Sequence, residues 1–126
     1  MKNVLLGLGL AVVTCGLLWP LPPDMVRAIV SHLVTLIAAV YIGFAIGSKG
    51  QLSLRRQLAG TAVFVALSLA GLWYGWIWLV LGLVLHGLWD FLHHGEHGHD
   101  VVPGWYVPAC AAYDWAVAAF VWYRYA

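Results

Sequence analysis

The stretch QLAGTAVFVALSLAGLWYGWIWLVLGLVLHGLWDFLHH, residues 57–94, decides the fold of this chain. It carries no charged residue before Asp90. As one straight helix it would extend about 57 Å, almost twice the ~30 Å thickness of the hydrocarbon core of a bilayer. The chain must therefore reverse within it. The segment Trp73–Trp76, where Gly75 lies among interfacial aromatic residues, is the predicted point of reversal.

The rest of the chain is similarly apolar. Of its 126 residues 63% are hydrophobic and 9% are charged, and the mean hydropathy is +0.88. A soluble domain of this size needs more charge to cover its surface. The net charge of +1 and the lack of a basic cluster argue against a nucleic-acid partner. We expect a single multi-pass domain, residues 1–126, integral to the lipid bilayer of a prokaryotic cytoplasmic membrane.

The pattern of apolar runs predicts an all-α bundle of five transmembrane helices. Prolines 20, 22 and 23 close the first run, and Gly47-Ser48-Lys49-Gly50 closes the second. Four spans with a broken third element are the alternative. Small residues at a spacing of four, such as Ala39, Gly43 and Gly47, predict close helix packing. The expected spans are 3–20, 25–47, 56–73, 76–94 and 105–123.

Basic residues give the orientation. Lys49, Arg55 and Arg56 lie between the second and third spans. The positive-inside rule therefore predicts that this connection, together with Lys2, lies on the cytoplasmic side.

Ionisable residues recur along one face of the fourth span. Positions 86, 90, 93 and 97 fall within an arc of about 60° on a helix, and they hold His86, Asp90, His93 and His97. His94 lies just off this arc. Such groups are costly in lipid, so they normally face a bundle interior, a metal or water. His97 and His99, with Glu96 and Asp100, are expected in a solvated loop.

The fifth span carries a second polar pair on one face. Cys110 and Asp114 are four residues apart. In an antiparallel pair of spans, Asp90 should lie opposite Cys110, and His86 opposite Asp114. His32 of the second span should lie within about one turn of His86 in depth.

Three arrangements fit these residues. The first is a Zn(II) or Fe(II) site with His86, Asp90, His93 and Asp114 as ligands and His32 or His94 as additional ones. The second is a metal-free network of carboxylates and imidazoles. The third is axial ligation of heme or another tetrapyrrole by His32 or His86. Cys110 is either a ligand or a small apolar filler.

The pattern H-x3-D-x2-H-H, residues 86–94, followed by C-x3-D, residues 110–114, resembles that of small uncharacterised polytopic membrane proteins. The resemblance covers mainly residues 80–120 and implies an all-helical membrane fold. The chain is more loosely similar to His-box membrane metalloenzymes, the lipid desaturases and hydroxylases, which hold two irons with several histidine clusters. A fainter likeness to intramembrane zinc amidohydrolases implies Ser31-His32 as a pair of site residues.

These observations predict an integral membrane metal-binding protein with a His/Asp site. An enzyme acting on a lipid or isoprenoid is one form of this hypothesis. The alternatives are a non-enzymatic accessory subunit of a larger membrane complex and a heme- or pigment-binding bundle.

Overall fold

Proline, serine and glycine set the helix boundaries in the computed structural model, which describes residues 1–94 and 101–126. Within these ranges the protein is all-α, and the prediction of five helices is confirmed. His97, His99, Glu96 and Asp100 lie outside the described residues. The helices are α1 (Lys2–Leu18), α2 (Pro23–Gly47), α3 (Leu54–Tyr74), α4 (Trp76–Leu92) and α5 (Tyr106–Tyr125).

The predicted reversal between α3 and α4 is confirmed at Gly75. This residue has φ 129°, a backbone conformation that is open to glycine and strained for residues with a Cβ. At the start of α3, the Ser53 hydroxyl accepts a hydrogen bond from the Arg56 N–H at 3.2 Å and so caps the helix. Pro23 occupies the first turn of α2, where its missing N–H has no helical partner to lose.

Pairs of contacts give the helix directions. Gly7 of α1 meets the Ala109 carbonyl of α5, and Thr14 and Tyr113 share a hydrogen bond of 3.1 Å. Both partners advance along the chain, so α1 and α5 run parallel. The same comparison makes α2 and α3 antiparallel, α3 and α4 antiparallel, and α4 and α5 antiparallel. Helices α1, α3 and α5 therefore point one way, and α2 and α4 the other.

Helix α4 is central, because it packs against α2, α3 and α5, while α1 packs mainly on α5. Between α2 and α3 the Ser31 hydroxyl donates to the Ser68 carbonyl at 3.1 Å, and the Ser68 hydroxyl donates to the Ser31 carbonyl at 2.9 Å. These hydrogen bonds satisfy polar groups between two apolar helices. The main apolar core includes Val30, Val34, Leu79, Leu83, Val117 and Val121.

Close packing uses some of the expected glycines and not others. Gly71 lies against Leu79, Gly60 against the Trp89 ring, and Gly87 against the Trp115 indole. The expectation for Gly43 and Gly47 was wrong, because a Cβ at either position would meet no described atom within 4 Å. Both glycines are exposed on α2.

Two helices of the described chain, α2 and α3, are both long enough and apolar enough to cross a membrane. Helices α1 and α4 are apolar too, but each has 17 residues, fewer than the ~20 that a perpendicular span needs.

Candidate metal centre

Helices α4 and α5 bring together three of the predicted site residues. His86, Asp90 and Asp114 are each 0% exposed. His86 Nδ1 donates a hydrogen bond to Asp114 Oδ2 at 2.7 Å, and it lies 3.7 Å from Asp90 Oδ2. Since both carboxylates are buried next to His86, the expected match in depth between the two helices is confirmed.

Cys110 completes this group. Its thiol donates a long hydrogen bond to Asp114 Oδ2 at 3.7 Å. One ligand atom each from His86, Asp90, Cys110 and Asp114 lies within 4.8 Å of all the others, and all four residues are buried. We call these four residues the buried cluster. Of the two readings of Cys110 given above, its position fits the ligand.

Several polar atoms of the buried cluster lack a hydrogen-bond partner among the described residues. They are His86 Nε2, Asp90 Oδ2 and Asp114 Oδ1. Within the described ranges, the ion pairs of both carboxylates involve the His86 imidazole. Two buried carboxylates beside one imidazole carry more negative charge than the imidazole can neutralise. Buried charges are normally paired or bound to metal, so a divalent cation would correct this imbalance.

Two tyrosines that the sequence analysis missed extend the buried cluster. The Tyr41 hydroxyl of α2 donates to Asp90 Oδ1 at 2.7 Å, and Tyr41 is 0% exposed. The Cys110 thiol also lies 3.7 Å from the Tyr106 hydroxyl. Tyr41 could have been noticed as a polar-tipped side chain in the middle of an apolar run, because a buried tyrosine normally finds a partner for its hydroxyl.

His93 lies apart from the buried cluster, although it is 1% exposed and was predicted as a ligand. Its Nδ1 donates to the Trp89 carbonyl at 2.8 Å, and its Nε2 accepts from Gln57 Nε2 at 3.0 Å. The ring also packs on Tyr41, with centroids 4.5 Å apart. Both ring nitrogens are therefore engaged, which is typical of a histidine that ties two helices together. Gln57 had been read only as the edge of a span.

His94 and His32 are not brought to the buried cluster. Helix α4 ends at Leu92, two residues earlier than the predicted span, so His94 lies beyond the helix and is exposed. His32 is exposed on α2, where its Nδ1 donates to the Ala28 carbonyl at 2.6 Å. Ser31, its proposed partner, instead bonds α3.

The packing around His86 leaves little room for a tetrapyrrole. Its ring lies 5.1 Å from that of Phe64 and 6.1 Å from that of Tyr41. An axial ligand needs one face of a wide macrocycle beside its free nitrogen, and these aromatic side chains occupy that space. Axial ligation by His32 stays a prediction.

The chain belongs to a family of unknown function, DUF6010, whose family model matches residues 2–126. This agrees with the expected resemblance to an uncharacterised family. No curated protein matches the chain significantly, and no solved structure does so either.

Proposed function

We propose that this protein is an integral membrane protein that binds one divalent metal ion between α4 and α5, through His86, Asp90, Cys110 and Asp114. The observation that carries the proposal is the convergence of four ligand atoms, all within 4.8 Å of one another, in a fully buried position. A metal ion would bring these atoms closer still. It would also take the place of the proton on His86 Nδ1, because a ligand must be deprotonated.

The donor set favours Zn(II). One imidazole nitrogen, one thiolate sulfur and two carboxylate oxygens make up a tetrahedral set of the kind that zinc accepts. Fe(II) also binds imidazole and carboxylate, and it is the second choice. A thiolate shifts the preference toward the softer ion. Only one such group of residues is found in the described chain, so we expect about one ion per chain.

A membrane location is supported by the apolar surface. Of the most apolar windows of α2 and α3, 33% and 22% are buried within the bundle. The core helix of a soluble protein would be mostly buried, and large exposed apolar surfaces indicate contact with lipid or protein. Leu5, Val12, Leu36, Val63 and Leu88 are examples of large side chains that are exposed on four helices.

The distribution of charge supports a defined orientation. From the helix directions, Lys2, Lys49, Arg55 and Arg56 all lie at one end of the bundle, whereas Arg27 and Arg124 belong to the other. This four-to-two bias places the first end in the cytoplasm under the positive-inside rule.

The decisive experiment is elemental analysis of protein purified in mild detergent without chelator. We expect about one zinc or iron per chain, and we expect the His86→Ala and Asp114→Ala variants to lose it. His93→Ala is the matched control, because it removes another buried histidine from the same stretch but no member of the buried cluster. The proposal fails if the wild-type protein holds no stoichiometric metal and added Zn(II) or Fe(II) does not raise its melting temperature. The metal-free polar network would then take its place.

The membrane location needs a separate test. Membranes from cells that express the protein should retain it after extraction at alkaline pH, which strips peripheral proteins. Release into the supernatant would contradict the proposal.

Whether the ion can act on a substrate depends on Cys110. With Cys110 bound, four protein ligands close the tetrahedron, as in structural sites, whereas catalytic zinc keeps one position open for water. Enzymatic action on a lipid or isoprenoid therefore requires Cys110 to stay off the ion or to leave it. Cobalt substitution tests this, because a thiolate ligand gives Co(II) a charge-transfer absorption band. Cys110→Ser should remove that band if Cys110 is a ligand.

A second candidate function is that of an accessory subunit of a larger membrane complex. The observation in its favour is that Gly43 and Gly47 present an uncovered small-residue face on α2, and such faces allow close helix association in lipid. Native mass measurement of the solubilised protein separates a lone chain from an assembly.

A further inference from the structure

An apolar groove runs between α1, α2 and α5 and reaches the buried cluster at Cys110. Its volume is about 290 Å³. Cys110 is 9% exposed, while His86, Asp90 and Asp114 are each 0% exposed. Its other lining residues include Leu6 and Leu10 of α1, Leu33, Ile37 and Val40 of α2, and Ala109 of α5. The groove therefore touches the one member of the buried cluster that has any exposed surface.

The dimensions of this groove suit one hydrocarbon chain. Along α5 it extends from Trp105 to Tyr113, about 12 Å at the helical rise per residue. One leaflet contributes roughly half of a ~30 Å hydrocarbon core, so the groove has nearly the depth of a single leaflet. Leu6 and Leu10 are 47% and 53% exposed, which leaves the side of the groove open toward the surroundings.

The mouth of the groove carries positive charge. Lys2 precedes Leu6 by four residues and Leu10 by eight, so the three residues share one face of α1. Lys2 is exposed at the end of the bundle where α5 begins. Trp105 at this same end is 52% exposed, as is common for tryptophan at a membrane surface. An anionic head group would find its complement here, while its chain passes Cys110.

A second groove, between α3 and α4, provides an internal comparison. It has a similar volume of about 270 Å³ and is lined by Val63, Phe64, Leu88 and neighbouring apolar residues. The Phe64 ring stands between this groove and His86, 5.1 Å from the imidazole. No member of the buried cluster lines it.

We propose that the groove between α1, α2 and α5 binds a free fatty acid, with its carboxylate near Lys2 and its chain lying against Cys110 at the buried cluster. The proposal rests on the membrane location and metal site of the proposed function, and it names the class of molecule that reaches that site.

The test is photo-crosslinking of the purified protein with palmitic acid that carries a diazirine at mid-chain. Adducts should concentrate in the peptides that contain Leu6–Leu10 and Ala109–Tyr113. Excess palmitic acid should prevent them, and excess phosphatidylglycerol should not. Adducts spread evenly over the exposed apolar faces would overturn the proposal, as would equal competition by phosphatidylglycerol.

Three variants sharpen the test. Leu33→Trp fills the groove and should abolish the specific adducts, whereas Val63→Trp fills the α3–α4 groove and should leave them unchanged. Leu10→Trp, at an exposed position, replaces Leu33→Trp if that variant does not fold. Lys2→Glu should weaken binding of the acid by about fivefold or more, as expected for a cation at a membrane surface, without affecting the methyl ester of the same probe. Equal losses in Leu33→Trp and Val63→Trp would contradict the assignment.

Elemental analysis of the same preparation separates this proposal from the metal site. Specific adducts on metal-free protein would leave the fatty-acid site standing and reject the metal. Stoichiometric metal with evenly spread adducts would reject the fatty-acid site alone.

Discussion

His86 and His93 are seven residues apart on the same stretch of chain, and both are almost completely buried, yet their surroundings differ. His86 faces two carboxylates and has an unpartnered Nε2. His93 has partners on both nitrogens, the Trp89 carbonyl and the Gln57 amide. Charge is therefore concentrated around the first histidine, while the second lies among neutral groups. A buried histidine becomes a candidate ligand through what the neighbouring helices place beside it.

The largest expected effect is that of His86→Ala compared with His93→Ala. Removing His86 leaves two buried carboxylates without their ion-pair partner, which should cost roughly 3–5 kcal/mol of stability and the bound metal. Removing His93 should cost roughly 1–3 kcal/mol, because it leaves the Gln57 amide unpaired, and the metal should stay. Chemical unfolding in detergent and elemental analysis measure both. Equal metal loss in the two variants would erase the distinction.

Tyr41→Phe is the next largest change, since its hydroxyl contacts the buried cluster directly. Loss of the hydrogen bond to Asp90 should cost roughly 1.5–3 kcal/mol, as for hydrogen bonds to charged groups. Metal affinity should fall by about 10–100-fold, the usual effect of removing a group that orients a ligand. Competition with a chelator gives the affinity. An unchanged affinity would show that Asp90 does not bind the ion.

Gln57→Met tests the other side of the comparison. It leaves His93 Nε2 buried without a donor, at a cost of roughly 1–3 kcal/mol, and it should not change the metal content. The double variant Gln57→Met, His93→Met should recover part of the loss, because both polar partners are then replaced by apolar side chains. Metal loss in Gln57→Met would link the two regions and contradict their separation.

The smallest effects are expected at the exposed histidines. His94→Ala and His32→Ala should each change stability by less than about 0.5 kcal/mol, with the metal retained. An absorption spectrum of the purified protein checks the tetrapyrrole hypothesis for His32 at the same time. A Soret band that His32→Ala abolishes would reverse this assignment.

The helices were predictable because they depend on local properties of the chain. Apolar runs of sufficient length, ended by proline or glycine, define α1 to α5 to within two or three residues, and Gly75 marks the reversal because few other residues adopt its backbone conformation. Helical spacing also placed His86, Asp90 and His93 on one face, and Cys110 and Asp114 on another. The end of α4 was less predictable, and it decides that His94 lies outside.

The sequence by itself determined how many helices form, how apolar they are and which polar residues share a face. Only the tertiary structure decided that Cys110 joins His86, Asp90 and Asp114, that Tyr41 bonds Asp90, and that Gln57 engages His93. The physical reason is that a helical face depends on spacing along one segment, whereas a hydrogen bond or metal site depends on the rotation and depth of separate helices. Those quantities are set by packing, such as that of Gly87 on Trp115 and Gly7 on Ala109, between residues distant in the chain.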